Sequence, residues 1–427
     1  MTRGPSLPLQ LPKKLRSLLS LLKKSTSTLH NQSDEPLNPQ LLLAVFAALA
    51  TITLLSLTLP PSPLNIRRRL SALRGRIYLW FLINSYTPPS SPKLTVKSLH
   101  TYPLKSAQSL SHTTHSLSKY GLANDRILMI ARAASNPTAP LRFFTQRQSG
   151  ALATIACTPT NAGYYISSSL LPSVTQPLFV QYPPTTTLES RDCVVWDDTL
   201  SLLDFGDAAC EYCDAALVNT CFSPMRVPLT AAYITKIVSL FSPATNFGPL
   251  RLVCMPPCDP NYTRTANPIY FPPSALTLAG TPPPSSLSDG FPILITGTAS
   301  LADLNSRLKT PILMNRFRPN IVVNTTVPFE EDSWRVVLVN GVIYSVLKGC
   351  PRCKQSCTDQ LTGKLHEEPE ATLQSYRRMS TRHPEDVFFG QNVATKGEGG
   401  TVSVGDEVRV LRWEEGFVAD KGDIQAA

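Results

Sequence analysis

Asn315-Arg316-Phe317-Arg318-Pro319-Asn320-Ile321-Val322-Val323 is followed by Cys350-Pro351-Arg352-Cys353 and then by Asp359-Gln360-Leu361-Thr362-Gly363. Between the first two groups, Val336-Val337-Leu338-Val339 and Val342-Ile343-Tyr344-Ser345-Val346 flank Asn340-Gly341. Asn-Gly between two β-branched runs is the strongest short hairpin signal. This hairpin is expected to bring Arg318 and Cys353 together. Arg318 offers a planar fork of donors suited to phosphate, and the cation of Arg352 beside Cys353 favours a thiolate. A thiolate next to an anion clamp suits a soft metal carried on an anionic cofactor. Asp359 and Gly363 read as turn residues.

Working outward, Leu94 to Tyr102, Arg126 to Arg132, Leu141 to Gln146, Trp334 to Lys348 and Val402 to Trp413 read as strands, the last folded at Gly405-Asp406 as a second hairpin. Helices are fewer: Ser300 is the expected N-cap of one carrying Leu301, Leu304 and Leu308, and Glu370 to Met379 gives another. Two Pro-rich inserts, Ser223 to Pro249 and Met255 to Pro284, read as surface loops. The fold class is mainly β with some α.

The net charge of +10 resembles a nucleic-acid signal until it is located. Residues 1–76 hold eleven Lys and Arg against Asp34 and Glu35, so +9 lies there and +1 elsewhere. A nearly neutral body excludes nucleic acid as the partner. Leu41 to Leu59 is an uncharged apolar segment of 19 residues, about 28 Å as a helix and long enough for a bilayer core. It exceeds the ~7–15 apolar residues of a cleavable signal and runs into Pro60-Pro61-Ser62-Pro63, so it reads as an uncleaved anchor. Arginines at 67, 68, 69, 74 and 76 outnumber Lys23 and Lys24 near the anchor, which favours a single-pass topology with a cytosolic C-terminal body. The acid-free stretch before Asp34 alternates Leu with Lys, Arg and Ser, favouring the mitochondrial outer membrane over the endoplasmic reticulum. Ile77 to Ile83 is too short to span and is expected to lie on the membrane or pack on the body. Pro88-Pro89-Ser90-Ser91-Pro92 is a linker.

Ten cysteines over 427 residues are no disulfide scaffold on a cytosolic body. Cys210 and Cys213 with Cys221, Cys254 and Cys258 could form a zinc cluster, but no turn residues support a knuckle, and ordinary buried cysteines are the favoured reading. Zinc on Cys350, Cys353, Cys357 and His366 is disfavoured by the long gap before the histidine. Gly397, Gly399 and Gly400 lack the following Lys-Ser/Thr of a phosphate loop. His100, His112 and His115 show no metal-like partner pattern.

The chain resembles the MOSC family, and within it the mitochondrial amidoxime-reducing components. The resemblance runs through Ser300-Leu301-Ala302-Asp303-Leu304-Asn305-Ser306-Arg307-Leu308, Phe317 to Val322, Cys350 to Cys353 and Phe389-Gly390-Gln391-Asn392. Tyr102-Pro103-Leu104-Lys105-Ser106 and Gly121 to Arg126 resemble the β-barrel module that precedes MOSC. It implies an N-terminal β-barrel module at 93–284 containing the inserts and a C-terminal MOSC β-barrel at 285–420. A basic segment at 1–40, the transmembrane helix at 41–59 and a linker at 60–92 precede them. By resemblance Cys353 is the molybdenum ligand, Cys350 a buried neighbour, and Lys105, Ser106, Arg126, Arg318, Asn320 and Arg352 hold the molybdenum cofactor (molybdopterin). Asp289 takes the acidic catalytic position near the substrate face, although Gly290-Phe291 departs from the family's hydroxyl pair. Cys357 also departs, standing where relatives have a small polar residue.

The implied activity is reduction of amidoximes, hydroxylamines or N-oxides. With no flavin or dinucleotide fingerprint, electrons come from a b-type cytochrome and its NADH-dependent flavin reductase. The alternative is a cofactor-binding or sulfur-carrier protein without turnover, in which Cys353 carries a persulfide. The sulfurase side of the family also brings pyridoxal phosphate binding, though no pyridoxal-phosphate sulfurase domain is apparent in the chain.

Overall fold

The computed structural model describes residues 66–84, 93–206, 229–241, 250–266 and 282–414, with short gaps inside these ranges, together with Ala47 and Thr51. The expected anchor at 41–59 otherwise lies outside the described residues, as do Cys210, Cys213, Cys221, Cys258 and the linker at 88–92. Among the described residues no helix is long and apolar enough to cross a membrane.

Chain order begins with α1 (Ile66–Asn84), β1 (Val96–Thr101), β2 (Leu110–His112), β3 (Thr114–Ser118), β4 (Gly121–Leu122), β5 (Leu128–Arg132) and β6 (Leu141–Phe144). It continues with β7 (Ile155–Pro159), β8 (Gly163–Ser168), β9 (Leu178–Gln181), β10 (Glu189–Val195), β11 (Asp198–Asp204), α2 (Leu229–Phe241) and β12 (Leu250–Cys254). The C-terminal half holds β13 (Ile293–Gly297), α3 (Thr298–Arg307), β14 (Ile321–Val323), β15 (Trp334–Val339) and β16 (Val342–Arg352). Then come α4 (Glu370–Gln374), β17 (Val387–Thr395), β18 (Thr401–Ser403) and β19 (Val408–Trp413).

Strands β10-β11-β12-β5-β6 close into a barrel, sealed by the parallel pairing of Cys193 with Leu141. Leu128, Ile130, Leu202 and Val253 fill its core, with Ile234 and Ile237 of α2 in the same cluster. The C-terminal body is an eight-stranded sheet ordered β19-β15-β16-β17-β13-β14-β1-β2. A small sheet, β18-β3-β4, shares its core: Leu117, Leu122 and Val402 are buried with Val96, Leu99, Ile295, Val337 and Tyr344. Strands β1 and β2 thus precede the barrel in sequence yet belong to the C-terminal sheet in space. Asn320 and its neighbours are held against them by β14.

The β15–β16 hairpin forms as read, with Asn340 and Gly341 at φ 45 and 74 as a two-residue primed turn requires. The second expected hairpin does not: β18 pairs with β3 and β19 with β15, so Gly405-Asp406 crosses between two sheets. Nor is Ser300 an N-cap. Helix α3 starts at Thr298, because the buried Glu331 carboxylate takes the Ser300 hydroxyl at 2.8 Å and Ser300 Oγ accepts from Phe329 N. The helix expected to reach Met379 ends at Gln374. Beyond it, Arg377 turns inward to Asp332 (2.7 Å) and to the Phe388 carbonyl (3.1 Å), which draws the chain alongside β17. The segment Ile77 to Ile83 lies in α1, which packs on the edge strand β19, where Arg412 donates to the Tyr78 hydroxyl at 3.1 Å.

In the matched motif of β17, Gly390 adopts φ +78. A Cβ there would come within 2.7 Å of Thr296 Cγ2 and 2.8 Å of the Ile295 carbonyl, so the close passage of β17 over β13 needs glycine.

Candidate functional site

Four connections converge between the two bodies: Tyr102 to Ala107 after β1, Asp125 to Ile127 before β5, Arg316 to Asn320 before β14, and Cys350 to Arg352 at the end of β16. Ser106, Arg126 and Arg318 have left-handed backbones, at φ 71, 51 and 56. Such residues cost of order 1–3 kcal/mol each and persist only where surroundings enforce them. Here Arg126 N donates to the Tyr102 carbonyl at 2.8 Å and Lys105 N to the Leu128 carbonyl at 2.8 Å. Asn320 is tied at both ends: its Oδ1 accepts from Leu294 N and Arg126 Nη1 (both 3.1 Å), and its Nδ2 donates to the His100 carbonyl.

The side chains from these connections line one open cavity. Lys105, Ser106, Arg126, Asp289, Arg318, Asn320, Cys350 and Arg352 are among its walls. The buried Tyr102 ring lies against two guanidinium groups, Arg126 at 4.4 Å and Arg318 at 4.2 Å. Arg126 also binds Asp125 at 2.5 Å. Arg318 donates to the Ala107 carbonyl at 2.6 Å and to Gln360 Oε1 at 3.2 Å. Lys105 Nζ donates to Asp289 Oδ1 (2.6 Å) and the Leu287 carbonyl (2.7 Å). Arg352 donates to Cys350 Sγ and to the Phe317 carbonyl, both at 2.9 Å.

Five cations, Lys105, Arg126, Arg147, Arg318 and Arg352, face two carboxylates, Asp125 and Asp289. Burial pushes the Lys105 ammonium down to about 8, against the pull of Asp289, and pushes Arg318 down to about 10. Desolvation alone would raise the Asp289 carboxyl, but Lys105 and Arg147 hold it well below the usual carboxylate range. Arg352 Nε and Arg147 Nη1 are buried with no hydrogen-bond acceptor among the described residues. A cavity lined by Lys105, Arg126, Arg318 and Arg352 against Asp289 carries surplus positive charge, which fits a polyanion.

The thiols divide. Cys350, expected as a buried neighbour, is half-buried on the cavity wall. Cys353, just past β16, is also half-buried and lies beside Arg147. Burial works against the charge on Arg147, while Asp289 and Cys353 raise its pKa. Arg318 therefore meets Arg352 and Cys350 on one cavity, with Cys353 a step behind them. Cys357 is buried near the Glu367 carbonyl, and burial pushes it up to about 11. Among the described residues no group of three or more His, Cys, Asp or Glu could hold a metal ion. Cys254 is buried in β12, with its thiol pushed up to about 12 by burial.

Sequence reasoning missed Arg147, which follows β6 in a stretch without pattern and reaches Asp289 at 3.1 Å. It also missed the Gln146–Gln360 amide pair, bonded both ways at 3.1 and 3.2 Å beneath Arg318. Tyr102 stood inside a quoted motif and its aromatic character was the available signal. The described parts of both Pro-rich inserts depart from surface loops: the first supplies α2, with Ile234 and Ile237 buried, and the second a buried arginine. This arginine, Arg264, donates to the carbonyls of Ser286 (2.5 Å), Ser288 (2.6 Å) and Asp289 (3.0 Å), fixing the segment that carries the acid.

Residues 282–409 match the MOSC domain and residues 93–220 the MOSC N-terminal beta barrel domain. The chain is 39% identical over 129 residues to mitochondrial amidoxime-reducing component 1 of Homo sapiens, covering 29% of this chain and 38% of that one. It is 44% identical over 90 residues to mitochondrial amidoxime reducing component 2 of Bos taurus (21% and 27%). It is 32% identical over 134 residues to a molybdenum cofactor sulfurase of Oryza sativa subsp. japonica (27% and 16%). The chain thus spans less than two-fifths of the length of these relatives. Pyridoxal phosphate binding has no support in the matched domains and is set aside. By both domain matches the chain is a MOSC-domain protein, with its MOSC N-terminal beta barrel domain ahead of the MOSC domain.

Proposed function

We propose that the protein is a membrane-anchored, molybdenum cofactor-dependent oxidoreductase that reduces N-hydroxylated compounds such as amidoximes, hydroxylamines and N-oxides. The observation that carries this reading is the cationic cavity with the Cys350 thiol on its wall and Cys353 behind it, in a chain with a MOSC domain similar to amidoxime-reducing components. When bound, the cofactor supplies the two-electron oxygen-transfer chemistry. Lys105, Arg126, Arg318 and Arg352 hold its anionic part as charged donors, and Ser106 and Asn320 add a hydroxyl and an amide. Cys353 provides the soft ligand for the metal. Asp289, kept ionised by Lys105 and Arg147, accepts a hydrogen bond from the substrate's N–OH and orients it. Each turnover consumes two electrons and two protons and releases one water.

The electrons come from a b-type cytochrome and its NADH-dependent flavin reductase on the same membrane. Residues 41–59 supply the anchor, with the body in the cytosol and the mitochondrial outer membrane as the site. Purified protein with the cytochrome, the reductase and NADH should oxidise NADH when benzamidoxime is added. Equal rates without the cytochrome would refute the donor chain. Molybdenum that elutes away from the protein on gel filtration would instead favour a carrier that hands the cofactor on.

A further inference from the structure

The β10–β11 hairpin turns through Trp196 and Asp197, because Val195 pairs with Asp198. Trp196 has φ 55. A bulky residue at positive φ in a two-residue turn takes a place that ordinarily belongs to glycine. The residue is 43% exposed. Such strain concentrates at ligand clamps and needs a compensating role.

What surrounds the ring ties it to the site. Arg147 lies over it, guanidinium carbon 4.9 Å from the centroid, and Phe143 braces it at 5.1 Å with a tilt of 48°. The same Arg147 binds Asp289 Oδ2 at 3.1 Å, lies beside Cys353 and keeps a buried Nη1 without an acceptor. One guanidinium therefore touches the exposed ring, the substrate-facing carboxylate and the neighbourhood of the metal-binding thiol. Arg147 thus bridges Asp289, on the cavity wall, to Trp196 outside it.

We propose that Trp196 and Arg147 form a platform that selects substrates with a planar aromatic group attached to the N-hydroxylated centre. Trp196 stacks on that group while Arg147 holds the ring and Asp289 in fixed relation. This rests on the reductase reading above, and binding measurements separate the two. Trp196→Gly suits the test because it relaxes the turn while removing the ring.

For the cofactor-loaded protein, the ratio of kcat/KM for benzamidoxime to that for acetamidoxime should fall about fivefold in Trp196→Gly. The loss should lie in KM, and Trp196→Phe should recover most of it. Calorimetric titration with both compounds should show the same loss of preference without turnover. If the parent protein binds benzamidoxime preferentially but reduces neither compound, the reductase reading fails and the platform stands. An unchanged ratio in the variant, equal losses for both compounds, or no preference in the parent overturns the platform.

Discussion

Lys105 and Asp289 lie 184 residues apart in sequence and 2.6 Å apart in space, an ammonium with 5% of its side chain exposed against a carboxylate with 46%. The contact locks the connection after β1 to the segment that enters the MOSC domain. It also leaves an unusual balance, because the buried partner is the one whose charge is disfavoured.

That balance has a measurable sign. In the folded, cofactor-free protein burial pushes Lys105 down to about 8, whereas an unfolded lysine titrates near its ordinary value. From about pH 8 to about 10.5 the unfolded chain keeps a proton that the fold has lost, so stability rises with pH across that window. Lys105→Met should lack this increment, which is about 3 kcal/mol at most, in urea unfolding at pH 7 to 10.5. Cofactor loading should shrink it in the parent, since an anion in the cavity favours the charged lysine. A pH dependence identical in parent and variant would show that burial does not lower the Lys105 ammonium.

The cysteines should separate cleanly. Cys353→Ala is expected to abolish benzamidoxime reduction and metal retention while some pterin stays bound. Arg318→Ala should lower retention of the whole cofactor, with activity recoverable by excess cofactor. Cys350→Ala frees an Arg352 donor but should keep most activity, and Cys357→Ala should cost about 1–2 kcal/mol in the core before it costs turnover. Activity, molybdenum content and melting temperature of the four variants decide it. A Cys353→Ala protein working at the parent rate would falsify the ligand assignment.

Glu331 makes a different prediction. It is fully buried, and burial pushes its carboxyl up to about 7 although Ser300 and the Gly297 amide donate to it. Between pH 4.5 and 7 the fold holds a proton that the unfolded chain has released, so stability falls as pH rises through that range. Glu331→Gln should therefore gain about 2–3 kcal/mol relative to the parent between pH 4.5 and pH 8, read as the difference in unfolding free energy. A constant difference would show that Glu331 stays ionised in the fold.

These predictions lean unevenly on what the chain displays. Lys105, Ser106, Arg126, Arg318, Asn320 and Arg352 were legible because each sits in a short motif, and the structure brings all six to one cavity. Arg147 and Arg264 were not, since nothing in a Thr-Gln-Arg-Gln stretch or a Pro-rich insert announces which cavity a guanidinium will reach. Ser300 has the chemistry of an N-cap, and only a carboxylate 31 residues away diverts it. Gly405-Asp406 is a real turn, but turn chemistry does not say whether the strands on either side share a sheet.

Anchoring is tested in cells. The full chain should stay in the membrane pellet after alkaline carbonate, and a chain lacking residues 41–59 should move to the supernatant. Protection of the C-terminus from protease added to intact mitochondria would reverse the proposed topology.

The pairing of β1 with β14 has a temporal consequence. Leu99 of β1 pairs with Ile321 of β14, so 222 positions separate partners that lie side by side. A ribosome releases β1 with only β2 at hand to pair with it, and its other edge must be shielded from other chains through the synthesis of the whole intervening barrel. The cavity, built from both sides of that late pairing, is therefore among the last parts of the molecule to exist. A chain cut short between residues 112 and 321 leaves the β1–β2 pair with one edge open.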